Sequence, residues 1–390
     1  MSLPNAIPAG GESSERIDYL DGVRGVAALV VFCDHYLGFF GFPQMTPALV
    51  KKMFVSSPLH MVWDGFAAVS LFFVLSGLVL TRKYFARQER FSAERFSLAG
   101  FYLARVVRIG GPFLVVLALS WLVRHYLFEV RELPMSVSIW YRGLWQKEVD
   151  LTSFLWQAAL IFRRPPEALL FQDWSLRLEM HFSFLIPFMV LLAFRGTAWL
   201  VAFCLAGLVA GVSPALLHFT LGVLLARHFQ QVQSRVLAMP SLVRWFMLGV
   251  GLLLYSGRNT LVGVWFERFF EVSDFVTNPV MRLVTGCGAA LILVSVLGMP
   301  ELQRWLVSQP VRFLGRVSYG LYLCHVTVLL AFTPWLLQRL VAAGMPVDGA
   351  WLTGFLISLP LTLWLSEWLY RWVELPCIRL GKAVNGGKIF

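Results

Sequence analysis

Long apolar runs separated by short polar ones alternate along the whole chain, at a spacing that suits helices crossing a bilayer. The runs fall at roughly 23–42, 61–80, 100–122, 175–194, 197–212, 214–229, 241–257, 280–299, 313–336 and 350–371. A span needs about 20 residues, with about 17–25 the usual range. The fifth and sixth runs are short and read as a tight hairpin around Ser213 and Pro214. The pattern predicts an all-α integral membrane protein, a polytopic helical bundle of about ten transmembrane helices. No internal repeat of 20–50 residues and no Gly/Ser- or Pro-rich linker divides it. The expected organisation is a polar amino-terminal tail over 1–15, one membrane domain over 16–380, and a short cytoplasmic tail over 381–390. The opening MSLPNAIPAGGESSERIDYL lacks the apolar core of a cleavable signal, so the first span is expected to direct insertion itself.

Composition agrees with this over the full length of 390 residues: 58% are hydrophobic and 14% charged, with mean hydropathy +0.70. A soluble domain carries about 25% charged residues. The net charge of +11 would suggest nucleic acid in a soluble protein. Here the basic residues collect between alternate spans, as the positive-inside rule requires. The segment RKYFARQERFSAER (82–95) has the composition of a cytoplasmic loop beside anionic lipid, and it lacks a base-stacking platform. With both termini cytoplasmic, the remaining inner loops hold Arg195, Arg235, Arg304 and Arg312, whereas the outer loop 258–279 carries Glu267, Glu271 and Asp274. Residues 123–173 fit least well. Their apolar patch LTSFLWQAALIF reads as a re-entrant or interfacial element, since a further span would invert everything downstream. The five cysteines are far apart and have no metal-ligand spacing, so neither a disulfide framework nor a metal site is expected.

The first span, YLDGVRGVAALVVFCDHYLGFF, holds Asp21, Arg24, Asp34 and His35. Ionisable groups inside a membrane are costly and mark function by default. Eleven residues at 100° each bring Arg24 and His35 to within about 20° of one face, separated by about 16 Å along the axis. They cannot touch, and mark two points of a path through the bundle. Asp21 can pair with Arg24 at i,i+3, while Asp34 points about 80° away. An interface anchor and a hydrogen-bonded core histidine are the bland alternatives. Four such groups in one span favour the functional reading.

Other segments are weaker alone. FFVLSGLVL (72–80) marks close helix packing. Arg105 and Arg108 at i,i+3 serve either as positive-inside anchors or as a clamp for diphosphate or phosphoadenosine. DWSLRLEMHFSFLIP (173–187) places Ser175 and Glu179 one turn apart, with Arg177 and His181 alongside. FLGRVSYGLYLCH (313–325) lines Ser318, Tyr322 and His325 along one stripe, which in most helices means packing. LSEWLYRWVELP (365–376) adds Glu367 and Arg371 at i,i+4, then Glu374.

Taken in order, these segments resemble acyltransferase family 3, integral-membrane enzymes that O-acylate sugars and small molecules. LDGVRGVAALVVFCDH matches the family's Arg-x10-His in Arg24 and His35, and FFVLSG its FFxLSG. Arg105 and Arg108 match its Arg-x-x-Arg. WSLRLEMHF matches on Trp174, Ser175, Glu179 and Phe182, LGRVSYGLYLCH resembles its L-G-x-x-S-Y-x-L-Y-L-x-H, and ELP its terminal E-x-P. The resemblance spans about residues 16–380. Arg177, Met180 and His181 depart from the usual residues. No hydrolase-like outer domain is seen, so two-domain members are imperfect guides.

The resemblance implies transfer of an acyl group, often acetyl, from cytoplasmic acyl-CoA to a hydroxyl of a glycan or small molecule, without a metal. Arg105 and Arg108 would hold the CoA phosphates. Arg24 would guide the pantetheine or polarise the thioester. His35 would be the general base, or form an acyl-histidine. Glu179 would orient the imidazole or bind acceptor hydroxyls. Asp34, Trp174, Ser175, Tyr322 and His325 complete the expected substrate contacts. The lipid bilayer is the setting, a bacterial cytoplasmic membrane first and a eukaryotic endomembrane second. The alternative class, a transporter, is also served by buried charges, but transporters commonly show structural repeats and paired broken helices, and neither is visible.

Overall fold

The structure, a computed structural model, describes residues 17–86, 97–128, 133, 135, 137–146, 149–161, 169–257 and 279–384. Seventeen α-helices run in chain order through these residues: α1 Asp18–Phe40, α2 Ala48–Ser56, α3 Gly65–Ala86, α4 Leu98–Tyr126, α5 Ile139–Gly143, α6 Leu151–Ala158, α7 Asp173–Arg195, α8 Thr197–Val209, α9 Ala215–Arg227, α10 Phe229–Ala238, α11 Ser241–Tyr255, α12 Pro279–Gly298, α13 Pro300–Leu306, α14 Gln309–Thr327, α15 Thr333–Ala342, α16 Val347–Leu369 and α17 Leu375–Val384. There is no strand among the described residues.

Seven helical stretches are long and apolar enough to cross a membrane: α1, α3, α4, α7, α12, the joined Gln309–Ala342 and the joined Val347–Ala383. Three shorter apolar helices, α8, α9 and α11, coincide with the marginal predicted runs and with the run at 241–257. The protein is therefore an all-α, polytopic integral membrane protein. Large apolar side chains such as Phe246, Trp199, Trp364 and Trp372 point outward, as they must where the solvent is lipid. The acidic loop 258–278, the two arginines at 163 and 164, and most of the basic segment after Ala86 lie outside the described residues. The expected tail from 381 begins inside α17, which continues to Val384.

Glycines set the closest crossings. A Cβ on Gly77 of α3 would lie 2.4 Å from the Phe219 carbonyl oxygen, and one on Gly222 of α9 would lie 2.2 Å from that of Val74. The FFVLSG segment is thus a backbone-to-backbone contact, the packing that small residues permit in membranes. A second such contact joins α1 to α14: a Cβ on Gly25 would lie 2.3 Å from the Gly315 nitrogen, and one on Gly315 would lie 2.5 Å from the Asp21 carbonyl oxygen.

The last two long stretches each contain one π-helical turn, Val328–Phe332 and Tyr370–Glu374. Each ends two residues before a proline, Pro334 and Pro376. A proline inside a helix lacks the N–H for an i−4 bond, and its ring clashes with that carbonyl. Widening the preceding turn relieves both, and the amides of Thr333 and Leu375 reach back five residues to Val328 and Tyr370.

Residues between α4 and α7 fold over the end of the bundle where α1 and α4 finish. Helix α6 has 8 residues, about 12 Å at 1.5 Å per residue, too short to span. Leu151, Leu155 and Trp156 are exposed on it. Buried Gln157 ties it down: its Nε2 donates to the Leu170 carbonyl (3.0 Å) and to Asp173 Oδ2 (2.7 Å), and its Oε1 accepts from the Leu169 amide. Trp121 and Trp145 donate indole hydrogens to the carbonyls of Val149 and Leu169.

Candidate active site

Helix α1 contributes to two polar clusters at opposite ends of the same bundle. At one end, His35 Nδ1 lies 2.8 Å from His325 Nε2 of α14, with the rings stacked at 4.8 Å between centroids and 19° between planes. Both histidines are buried. The register that brings them together follows from the glycine crossing. Gly25 meets Gly315, and ten residues later on each helix His35 meets His325, so the helices run parallel with a constant offset of 290. Ten residues rise about 15 Å, which separates the backbone contact from the histidine contact.

Aromatic side chains wall this pair. Phe171, Trp140 and Phe39 approach the His35 ring at centroid distances of 5.1, 5.3 and 6.0 Å. Trp140 rides on the short helix α5, where Ser138 caps the amino terminus and also donates its amide to the Phe39 carbonyl. Gly38 leaves room for the indole, because a Cβ there would stand 3.1 Å from it. Asp34 Oδ2 lies 4.0 Å from His35 Nε2, and the same carboxylate packs against Gly65 at the start of α3.

One turn along α14, the Tyr322 hydroxyl is 2.6 Å from Ser175 Oγ of α7, and both reach the Gln172 carbonyl. Gln172 in turn donates to the Leu323 carbonyl. Trp174 stacks on Phe66 at 6.0 Å. The predicted candidates Ser175, Trp174, Tyr322 and His325 thus come from two helices to one end of the bundle. Ser318, on the same stripe, bonds back to the Gly315 carbonyl and serves its own helix.

The other cluster is charged. Arg105 Nη2 donates to Glu179 Oε1 and to Ser183 Oγ, both at 2.9 Å, and Ser76 donates to the same Glu179 oxygen at 3.2 Å. Arg105 is buried, and its Nε has no hydrogen-bond partner among the described residues. Arg108 is within electrostatic reach of Arg105, Arg24, Glu374 and Glu179. With Asp21 beside Arg24, three guanidinium groups stand against three carboxylates, Asp21, Glu179 and Glu374. Arg24 is 3.7 Å from Asp21, the i,i+3 pair read from the sequence. Arg371 and Glu367 also pair as the i,i+4 spacing suggests, at 2.6 Å.

Glu179, expected to orient the imidazole or bind acceptor hydroxyls, has its Oε1 taken by Arg105 and Ser76, and the contact at His35 Nδ1 is made by His325. Sequence reasoning passed over Phe39, Trp140 and Phe171, and over Ser76 and Ser183 as partners in the charged cluster. The serines sat in quoted segments. Trp140 lies on a five-residue helix, too short to show a periodicity, and carried no signal. No group of three or more metal-ligating side chains occurs among the described residues.

A model of the acyltransferase domain of family 3 matches residues 17–371, which takes in the histidine cluster and all of the charged cluster but Glu374. The chain belongs to that family. This acyltransferase is similar to the O-acetyltransferase PaAT-1 of Phomopsis amygdali, 24% identical over 423 aligned positions that cover 93% of this chain and 83% of that one. It is also similar to the O-acetyltransferase OatA of Staphylococcus aureus, 21% identical over 342 positions, covering 81% of this chain. The chain spans about half of OatA's length, 53%. No solved structure matches this acyltransferase.

Proposed function

We propose that this acyltransferase moves an acetyl group from cytoplasmic acetyl-CoA to a hydroxyl of a sugar, glycan or small molecule, with His35 as general base. The observation that carries the reading is a buried imidazole on the first span, hydrogen-bonded at Nδ1 and walled by aromatic rings. On the same helix, about three turns away, Arg24 joins the cluster of Arg105 and Arg108. The names of the similar proteins point to O-acetyl transfer.

The arginine cluster supports an anionic donor. Arg108 and Arg24 are only partly buried, and buried Arg105 has an N–H to spare. These three are the groups that would hold CoA phosphates or the thioester carbonyl, with Glu179 and Ser183 fixing Arg105. At the histidine end, Asp34, Trp174, Ser175 and Tyr322 are the groups that would meet the acceptor. Paired with the sequence-based orientation, the donor enters from the cytoplasm and the acceptor from the opposite end of the bundle. The membrane proposed is a bacterial cytoplasmic membrane.

The test is mass spectrometry of host glycans and secreted metabolites from cells with the native protein, with His35→Ala and with neither. A mass difference of one acetyl group on a single product, absent in the variant, is the expected result. An identical product profile for His35→Ala at equal membrane abundance overturns the assignment of the base.

A further inference from the structure

The geometry points to His325 as a positioning residue that sets the tautomer of His35 and makes its Nε2 the atom that takes the acceptor's proton. This rests on the reading of His35 as general base.

His325 Nδ1 lies 3.0 Å from the Leu321 carbonyl oxygen, and the Tyr322 carbonyl also interacts with this ring. A carbonyl oxygen only accepts, so the hydrogen of that contact belongs to His325 Nδ1. In the neutral ring the other nitrogen, Nε2, then holds a lone pair. His35 Nδ1 is 2.8 Å from it and must donate. The Val31 carbonyl, one turn before His35, adds another acceptor and no donor to the His35 ring. A His35 that carries its hydrogen on Nδ1 has its free lone pair on Nε2, the nitrogen that faces Asp34 at 4.0 Å.

The reaction then balances without moving any other proton. The acceptor hydroxyl gives its hydrogen to His35 Nε2 while its oxygen bonds to the thioester carbonyl carbon. The carbon–sulfur bond breaks, and the CoA thiolate leaves and takes the proton back from Nε2. During the step His35 is an imidazolium whose Nδ1–H already points at His325. In serine hydrolases a carboxylate holds that position and fixes the tautomer. Here a neutral imidazole, itself fixed by a backbone carbonyl, does so. The Asp34 carboxylate stands on the opposite side of the ring and faces the transient charge.

Three purified full-length variants, His325→Ala, His325→Gln and His35→Ala, are compared with the native protein, using acetyl-CoA and methyl β-D-glucopyranoside as probes and release of CoA thiol as readout. Misplacing a reacting group by about 1 Å can cost about 10²-fold. His325→Ala is therefore expected to lower kcat by about 10²-fold with KM for acetyl-CoA unchanged. His325→Gln, whose amide oxygen can accept from Nδ1–H, should recover at least about tenfold of that loss. Equal activity of the alanine and glutamine variants overturns the positioning role, and so does a rise in KM with kcat intact. A His35→Ala variant that keeps turning over overturns the base instead, so the two failures are told apart. Nitrogen-15 spectra of histidine-labelled native protein in nanodiscs, assigned with His35→Ala, give a readout independent of turnover. They should show His35 protonated at Nδ1 and bare at Nε2, and the opposite tautomer refutes the assignment.

Discussion

The two ends of α1 differ in kind. Around His35 the polar groups are mainly rings and hydroxyls with short hydrogen bonds, set among Phe39, Trp140 and Phe171, with the Asp34 carboxylate 4.0 Å away. Around Arg24 they are ions, three guanidinium groups against three carboxylates, with one buried N–H to spare. The first arrangement suits holding a lone pair in a fixed direction. The second suits holding an anion. One helix joins them with a rise of about 16 Å, so a single rigid element sets the spacing between the proposed donor and acceptor sites.

The sharpest break in that comparison is His35→Ala. A general base contributes about 10²–10⁴-fold, and the loss should fall in kcat, measured as CoA release at saturating acetyl-CoA. An equal loss from Arg24→Ala, confined to KM for acetyl-CoA, would sharpen the division between the ends. Loss in kcat alone from that change would blur it.

Next comes the ion pair at the charged end. Arg105 is buried but Glu179 is 24% exposed, so removing one partner costs less than the ~3–5 kcal/mol of a fully buried pair. Arg105→Ala should still lower thermal stability in detergent. Arg105→Met combined with Glu179→Met should restore most of it, because hydrophobic replacement of a whole pair is often neutral. If the double variant is stable yet inactive, the pair serves the donor and not the fold.

Gly25→Ala tests the register that links the ends. Its methyl group would lie 2.3 Å from the Gly315 backbone nitrogen, so the two helices must part. Overpacking costs about 1–3 kcal/mol, and activity should fall further than stability because the histidine contact is displaced. Native-like turnover would show that the crossing does not control the site.

The smallest effect is expected from Trp140→Ala. Aromatic pairs add about 0.5–1.5 kcal/mol each, so KM for the acceptor should rise roughly twofold to tenfold with kcat intact. A change in KM for acetyl-CoA instead would move the indole to the donor side.

The spans were legible because membrane crossing imposes a length and an apolar composition that few other structures share. Helices α1, α7 and α12 start and stop within a few residues of the predicted runs. The Gly77 contact was legible too, since a Ser-Gly step in an apolar helix has few other uses. The pairing of His35 with His325 was not. Each helix displays its own face, but nothing local records a partner 290 residues away. Gln157 escaped for a related reason: a polar residue in a short, apolar segment has no period that marks it as buried. Glu179 read as the group that orients the imidazole or binds acceptor hydroxyls, by likeness to the carboxylate of serine hydrolases, whereas its Oε1 accepts from Arg105.

The two wide turns before Pro334 and Pro376 have a consequence for comparing related chains. Each holds one residue more than an α-helical turn, so the outward-facing stripe beyond it is rotated by about 100° from the stripe before it. A helical-wheel projection drawn through either joined helix as one unit therefore misplaces every position beyond the wide turn by about 100°. A relative without the proline can lose one residue there and keep every side chain on its original face. Single-residue gaps in the middle of these two spans would then record a change of helical frame, with the fold on either side intact.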